Sequence, residues 1–237
     1  MVDVIDLHDR REKDTMADYD YIKTGSDIYQ RSFEIIRQEA NLDRFPDDIE
    51  PAVVRVVHAA ADPAIADLVA FTPHVAQATR KALQDGRPIL CDSSMVATGI
   101  IRSRLPQDNE IICHIKDPRL ADLAASRQMT KTAAAVDLWH ESGLLDGAII
   151  AIGNAPTSLF RLLELLDTVD ARPAAVIGIP VGFVGAAESK DALINNSHEL
   201  EYFTVQGRRG GSAMTVAAIN AMASAAETTN IHSDTRH

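Results

Sequence analysis

Five apolar runs of strand length constrain this chain most: 88–91 (Pro88-Ile89-Leu90-Cys91), 110–115, 147–152, 174–179 and 202–205. Apolar residues dominate each run rather than alternating with polar ones, which marks strands buried on both faces. Helix signals follow the runs. Asp92-Ser93-Ser94 offers capping side chains for a helix through about Arg104. A second helix is expected around Leu120 to Arg127. Pro156 suits the first turn of a helix through Leu166, and Gly210-Gly211 precedes a long alanine-rich helix from Ser212. Strands alternating with helices predict parallel crossovers. The fold class is therefore α/β, a doubly wound, mainly parallel sheet of about five strands with flanking helices. Before it, residues 26–84 read as an all-helical region divided at Pro46, Pro51, Pro63 and Pro73. One domain is expected over residues 19–227, with a flexible lead-in at 1–18 and a flexible tail at 228–237.

Charge and cysteine content exclude several functions. Lys and Arg total 23 against 34 Asp and Glu, a net −11, which argues against a nucleic-acid partner held by clustered cations. Small anionic ligands remain open, because a few local donors bind them. No apolar run approaches the roughly 20 residues of a membrane helix, and the charged N-terminus lacks the apolar core of a secretory signal. The two cysteines, Cys91 and Cys113, lie in apolar runs without a CxxC. They predict no disulfide framework, no structural metal and a cytoplasmic home. His114 is expected in a strand beside Cys113, where neighbouring side chains point to opposite faces.

In sheets of this kind ligands bind beyond the carboxyl ends of the strands. The residues at those ends are Asp92, Asn154, Gly182, Gly185 and the pair Gly210-Gly211. Helix N-termini and glycine-exposed backbone N–H groups there favour carboxylates or phosphates. Any one of these loops also reads as a tight turn; several on one edge point to a ligand. Nucleotide motifs fail. Gly178, Gly182 and Gly185 lack the dinucleotide spacing, and Lys190 is followed by Asp191 where a phosphate loop needs a hydroxyl.

Histidine suits proton transfer near neutral pH. Among the eight, His58 stands out, since Val54, Val57, His58 and Ala61 follow one helical face. That face is expected to be buried, so position alone leaves His58 either a satisfied core histidine or a catalytic one.

Blocks in order along the chain resemble one family. They are Tyr21-Ile22-Lys23, the stretch from Ile28 to Arg37, Arg55-Val56-Val57-His58-Ala59, Pro88 to Asp92 with Met95-Val96, Ala151 to Thr157, Pro180 to Lys190, and Gly210 to Ala213. Together they resemble the precorrin-8X methylmutases, also called precorrin isomerases, from about Tyr19 to Ala225. The resemblance implies an isomerase of cobalamin biosynthesis. It would move a methyl group from C-11 to C-12 of precorrin-8X, giving hydrogenobyrinate, without a cofactor. It implies that His58 is the proton donor and acceptor, and that Ser32, with Arg31 beside it, contacts substrate. Lys131 stands where family members more often carry arginine; it keeps the charge but not the planar two-pronged grip on a carboxylate. The family implies a homodimer and a corrinoid ligand, a wide apolar disc rimmed by carboxylates. The cobalt-containing substrate of the anaerobic pathway and a non-catalytic corrinoid carrier remain as alternatives.

Overall fold

The computed structural model describes residues 19–224. The expected lead-in at 1–18, the expected tail at 228–237 and the last positions of the 19–227 unit lie outside the described residues. The chain opens with α1 (Gly25–Glu39) and α2 (Glu50–Ala60), then the short α3 (Ile65–Leu68), β1 (Val69–Phe71) and α4 (Val75–Gln84). There follow β2 (Ile89–Cys91), α5 (Ser94–Gly99), a 3-10 turn at Arg102–Arg104, β3 (Ile111–Ile112) and a second 3-10 turn at His114–Lys116. The remainder is α6 (Leu120–Ser126), α7 (Lys131–Glu141), β4 (Ile149–Ile152), α8 (Pro156–Leu166), β5 (Ala175–Gly178), α9 (Ala186–Ile194), β6 (Tyr202–Val205) and α10 (Ser212–Ala223).

The strands form one sheet of order β1-β6-β5-β4-β2-β3. All neighbouring pairs are parallel except β1 with β6, whose register sets Val69 opposite Val205 and Phe71 opposite Phe203. The doubly wound α/β reading holds, with three corrections. The helix expected through about Arg104 stops at Gly99, where Ile100 and Ile101 turn extended ahead of the 3-10 turn. Residues 26–84 are not all helical: β1 lies among them. His114 is not in a strand, because pairing ends at Ile112 and the chain tightens into the second 3-10 turn.

Burial on both faces explains the unbroken apolar runs. Along β4, Ile149 and Ala151 join one core with Phe33, Val57 and Met214, while Ile150 and Ile152 join the other with Trp139 and Leu159. The first core is roofed by α10, which packs against β4 and β5 and carries α2, which in turn carries α1. A helix lodged between a sheet and another helix must be apolar around most of its girth. Accordingly α10 buries Met214, Thr215, Ala218, Ile219, Ala221 and Met222. The second core is roofed by α7, α8 and α9.

Candidate active site

The strand order reverses between β2 and β4. From β2 the chain moves outward to β3, then returns to the other side of β2 and continues through β4, β5 and β6. Such a reversal leaves a crevice beyond the carboxyl ends of the two central strands, where open α/β sheets bind ligands. Asp92 sits directly in it. Its side chain is 1% exposed, and one oxygen accepts the Gly153 N–H at 3.0 Å. The other accepts the Asn154 and Ala155 N–H groups, each at 2.8 Å. Burial pushes the Asp92 carboxyl above its ordinary range, and these three donors pull it back. The helix cap expected from Asp92-Ser93-Ser94 is supplied by Ser93, whose hydroxyl accepts from the Val96 N–H at 3.3 Å. Asp92 therefore faces backbone rather than solvent, and it shapes the loop that carries the exposed Asn154.

The other strand-end loops crowd onto the same edge. Ser93 Oγ meets Ser212 Oγ at 3.3 Å, joining the start of α5 to the start of α10. The Gly211 N–H donates to the Ile179 carbonyl at 2.9 Å. Gly210 lies so close to the end of β5 that a Cβ would fall 2.5 Å from the Ile179 and Pro180 carbonyl oxygens. Gly182 donates to the Arg208 carbonyl at 3.3 Å, and Gly185 caps α9. Between them Phe183 and Val184 are 85% and 89% exposed, with the Arg208 guanidinium 5.7 Å from the Phe183 ring. Met95, in the first turn of α5, is 73% exposed. Large apolar side chains presented beside backbone donors suit a ligand with an apolar body and a polar rim.

His58 occupies the last turn of α2. Its imidazole lies 5.4 Å from the Tyr29 ring and 5.5 Å, edge-on, from the Phe33 ring of α1. One turn earlier the Arg55 guanidinium sits 5.4 Å from the other aromatic partner, Phe33. Burial, then the Arg55 charge, hold the His58 imidazole below its ordinary pKa. A depressed pKa leaves the ring largely neutral near pH 7 and makes its protonated form the stronger acid. The expected burial of this face is only partly met. Val54 and Val57 are buried, but His58 is half-buried and Ala61 is exposed, since Ala61 turns left-handed (φ 51°) and ends the helix. An ion pair between Asp62 and Arg209 ties this end of α2 to the loop after β6. His58 thus stands in a tier above α10, at the end nearest the strand-end loops.

Ser32, half-buried, follows Tyr29 by three residues on α1 and so shares its side of the helix. Arg31 is exposed and meets Glu34 at 3.4 Å. Lys131 is the first residue of α7 and is exposed. Its capping neighbour Thr130 touches Thr157 at the start of α8 at 2.8 Å, which places Lys131 at the same sheet edge on the opposite face. The structure thus brings together Asp92, Asn154, Gly182 and Gly185. His58 forms a second group with Tyr29 and Phe33 of α1, the helix that also carries Ser32, and the Asp62–Arg209 pair connects the two groups.

The precorrin-8X methylmutase family model matches residues 27–225. The chain belongs to that family. A precorrin-8X methylmutase from Sinorhizobium sp is 52% identical over 208 residues, spanning 88% of this chain and 98% of the relative. A cobalt-precorrin-8 methylmutase from Priestia megaterium is 38% identical over 82% of this chain and 85% of its own. The solved precorrin-8X methyl mutase of Thermus thermophilus superposes with a TM-score of 0.76 at 40% identity, covering 84% of this chain and 95% of that one.

Within this methylmutase chain, three structural features around the candidate site escaped the sequence. The Tyr29 and Phe33 cage around His58 was one; its signal was the spacing of the two aromatics on one face of α1. The Asp62–Arg209 link joins residues too far apart in sequence to signal each other. Lys190 is wholly buried, and nothing in its sequence neighbourhood announces that. No group of three or more His, Cys, Asp or Glu side chains among the described residues could hold a metal. Nor is any helix among them long and apolar enough to cross a membrane.

Proposed function

We infer that the chain is an isomerase of cobalamin biosynthesis that moves a methyl group from C-11 to C-12 of precorrin-8X to give hydrogenobyrinate. The observation that carries this reading is the family match along residues 27–225. The reaction breaks one carbon–methyl bond and forms another within the same molecule, so it needs neither a methyl donor nor a redox cofactor. A proton placed on the macrocycle makes its π-system a better electron sink for the formal 1,5 shift, and the proton is recovered afterwards. His58 is the group proposed to lend it. Its low pKa makes the protonated ring a stronger acid while thinning its population near pH 7, and the flanking Tyr29 and Phe33 rings restrict how far the imidazole can swing.

The substrate's carboxylate arms are assigned to Ser32, Arg31 and Lys131 and to backbone and amide donors at Asn154, Gly182 and Gly185, with Asp92 acting through the loop it holds. The apolar disc has Phe183, Val184 and Met95 available to it. The enzyme is read as one cytoplasmic domain over 19–227 that works as a homodimer, and the apolar surface left open at Tyr19, Tyr21 and Ile22 supports the dimer. The cobalt-free substrate is preferred over the cobalt form because the Sinorhizobium relative is nearer in sequence than the Priestia one. Incubation with precorrin-8X, followed by its visible spectrum, tests the reading. Wild type converts it, and His58→Ala binds hydrogenobyrinate without turning over. A His58→Ala variant with wild-type rate removes His58 from the chemistry, and binding without any turnover by the wild type leaves a carrier.

A further inference from the structure

Lys190 is 0% exposed, and its ammonium donates to the Arg209 carbonyl at 2.7 Å. Burial pushes its pKa down to about 8, while the neighbouring Asp191 charge opposes that fall. An ammonium out of water is costly, and one use of such a group is to fix a particular arrangement. Here the arrangement is the loop after β6. The end of β5 presses on it at Gly210 and Gly211, and Lys190, reaching from α9, holds it at Arg209. Arg209 projects from that loop to the Asp62 carboxylate, two residues beyond the end of α2 and four after His58. A connection thus runs over the sheet edge, from the helix layer of α8 and α9 to the tier that carries His58.

We propose that Lys190 is a positioning residue for His58, acting through the Arg209 backbone and the Arg209–Asp62 ion pair to set the end of α2 against the strand-end loops. The inference rests on His58 being the proton donor proposed above. Misplacing a reacting group by about 1 Å can cost about 100-fold in rate. The loss should fall on kcat, because neither Lys190 nor Asp62 is among the groups assigned to substrate.

The test is steady-state kinetics on precorrin-8X with Lys190→Met, Arg209→Gln and the double variant. Each single variant is expected to lose about 10- to 100-fold in kcat with KM changed less than about 3-fold, and the double variant should lose no more than the worse single. Asp62→Arg combined with Arg209→Asp should regain rate over Asp62→Arg alone. Wild-type kcat in Lys190→Met or in Arg209→Gln overturns the proposal, as do losses that multiply in the double variant. If methionine prevents folding, Lys190→Gln, whose amide nitrogen ends one bond short of the ammonium, must show the same split. His58→Ala run alongside separates two failures. If it is inactive while Lys190→Met is fully active, only this inference falls; if it is active, the proton-donor reading falls and takes this inference with it.

Discussion

Replacing Asp92 with asparagine removes one acceptor and adds two donors in a place built of donors. The carboxylate takes three backbone N–H groups at 2.8–3.0 Å, two on one oxygen and one on the other. An asparagine carbonyl can keep Asn154 and Ala155, but its amide nitrogen then faces the Gly153 N–H, and both are left unsatisfied. Each buried donor without a partner costs about 1–3 kcal/mol. The neutral amide is easier to bury than the carboxylate, which burial already pushes towards protonation. The balance is a loss of about 2–4 kcal/mol for Asp92→Asn, and about 4–6 kcal/mol for Asp92→Ala, which strands all three donors. With an m-value of about 2 kcal/mol per molar urea, the asparagine variant should shift the unfolding midpoint down by about 1–2 M. Amide exchange at Gly153, Asn154 and Ala155 should quicken before the rest of the sheet opens. An asparagine variant within about 1 kcal/mol of wild type, or an alanine variant no worse than asparagine, refutes the clasp as the holder of this crevice.

Three further outcomes follow, one from the strand-end loops and two from the tier that carries His58. Gly210→Ala sets a Cβ against two carbonyl oxygens at 2.5 Å; it should cost about 1–3 kcal/mol, and a thermal melt that does not move from wild type refutes the close approach. With His58 as the acid, kcat/KM should fall as pH rises through an imidazole pKa below 6.5, and Arg55→Gln should move that midpoint upward. The stability sign is the reverse: because the folded pKa is depressed, the unfolded chain binds more protons below about 6.5. The His58 contribution is thus lost as pH falls through that window, and His58→Gln flattens it. An NMR titration giving a midpoint above 6.5 refutes both.

What the sequence carried was the part of the fold that buries two faces. The apolar runs of β2, β4, β5 and β6 and the starts of α8 at Pro156 and α10 at Ser212 stand where periodicity and capping placed them. β1 did not announce itself, since Val69-Ala70-Phe71 is three residues between prolines, paired on one side only with β6. β3 reduced to Ile111–Ile112, and the apolar Ile115 beyond it belongs to a 3-10 turn rather than a longer strand. Local patterns also placed Asn154, Gly182 and Gly185 at the sheet edge, because a strand followed by a helix dictates where the intervening loop lies. The cage of Tyr29 and Phe33, the burial of Lys190 and the Asp62–Arg209 pair are products of α1, α2 and α9 meeting distant segments. Such meetings leave no periodic trace.

The two sides of the switch-point crevice come from opposite halves of the polypeptide: Asp92 and the Gly153 amide that it clasps are 61 positions apart. A chain leaving the ribosome has completed β2 and its aspartate long before the donors for that carboxylate exist. The outward excursion through β3, α6 and α7 must finish first. Nascent protein halted anywhere in that interval holds an ionised group with no clasp, and a corrinoid offered to it finds one bank without the other. The clasp itself therefore forms only when β4 slots in beside β2, and the loops after β5 and β6 that complete the same edge come later still.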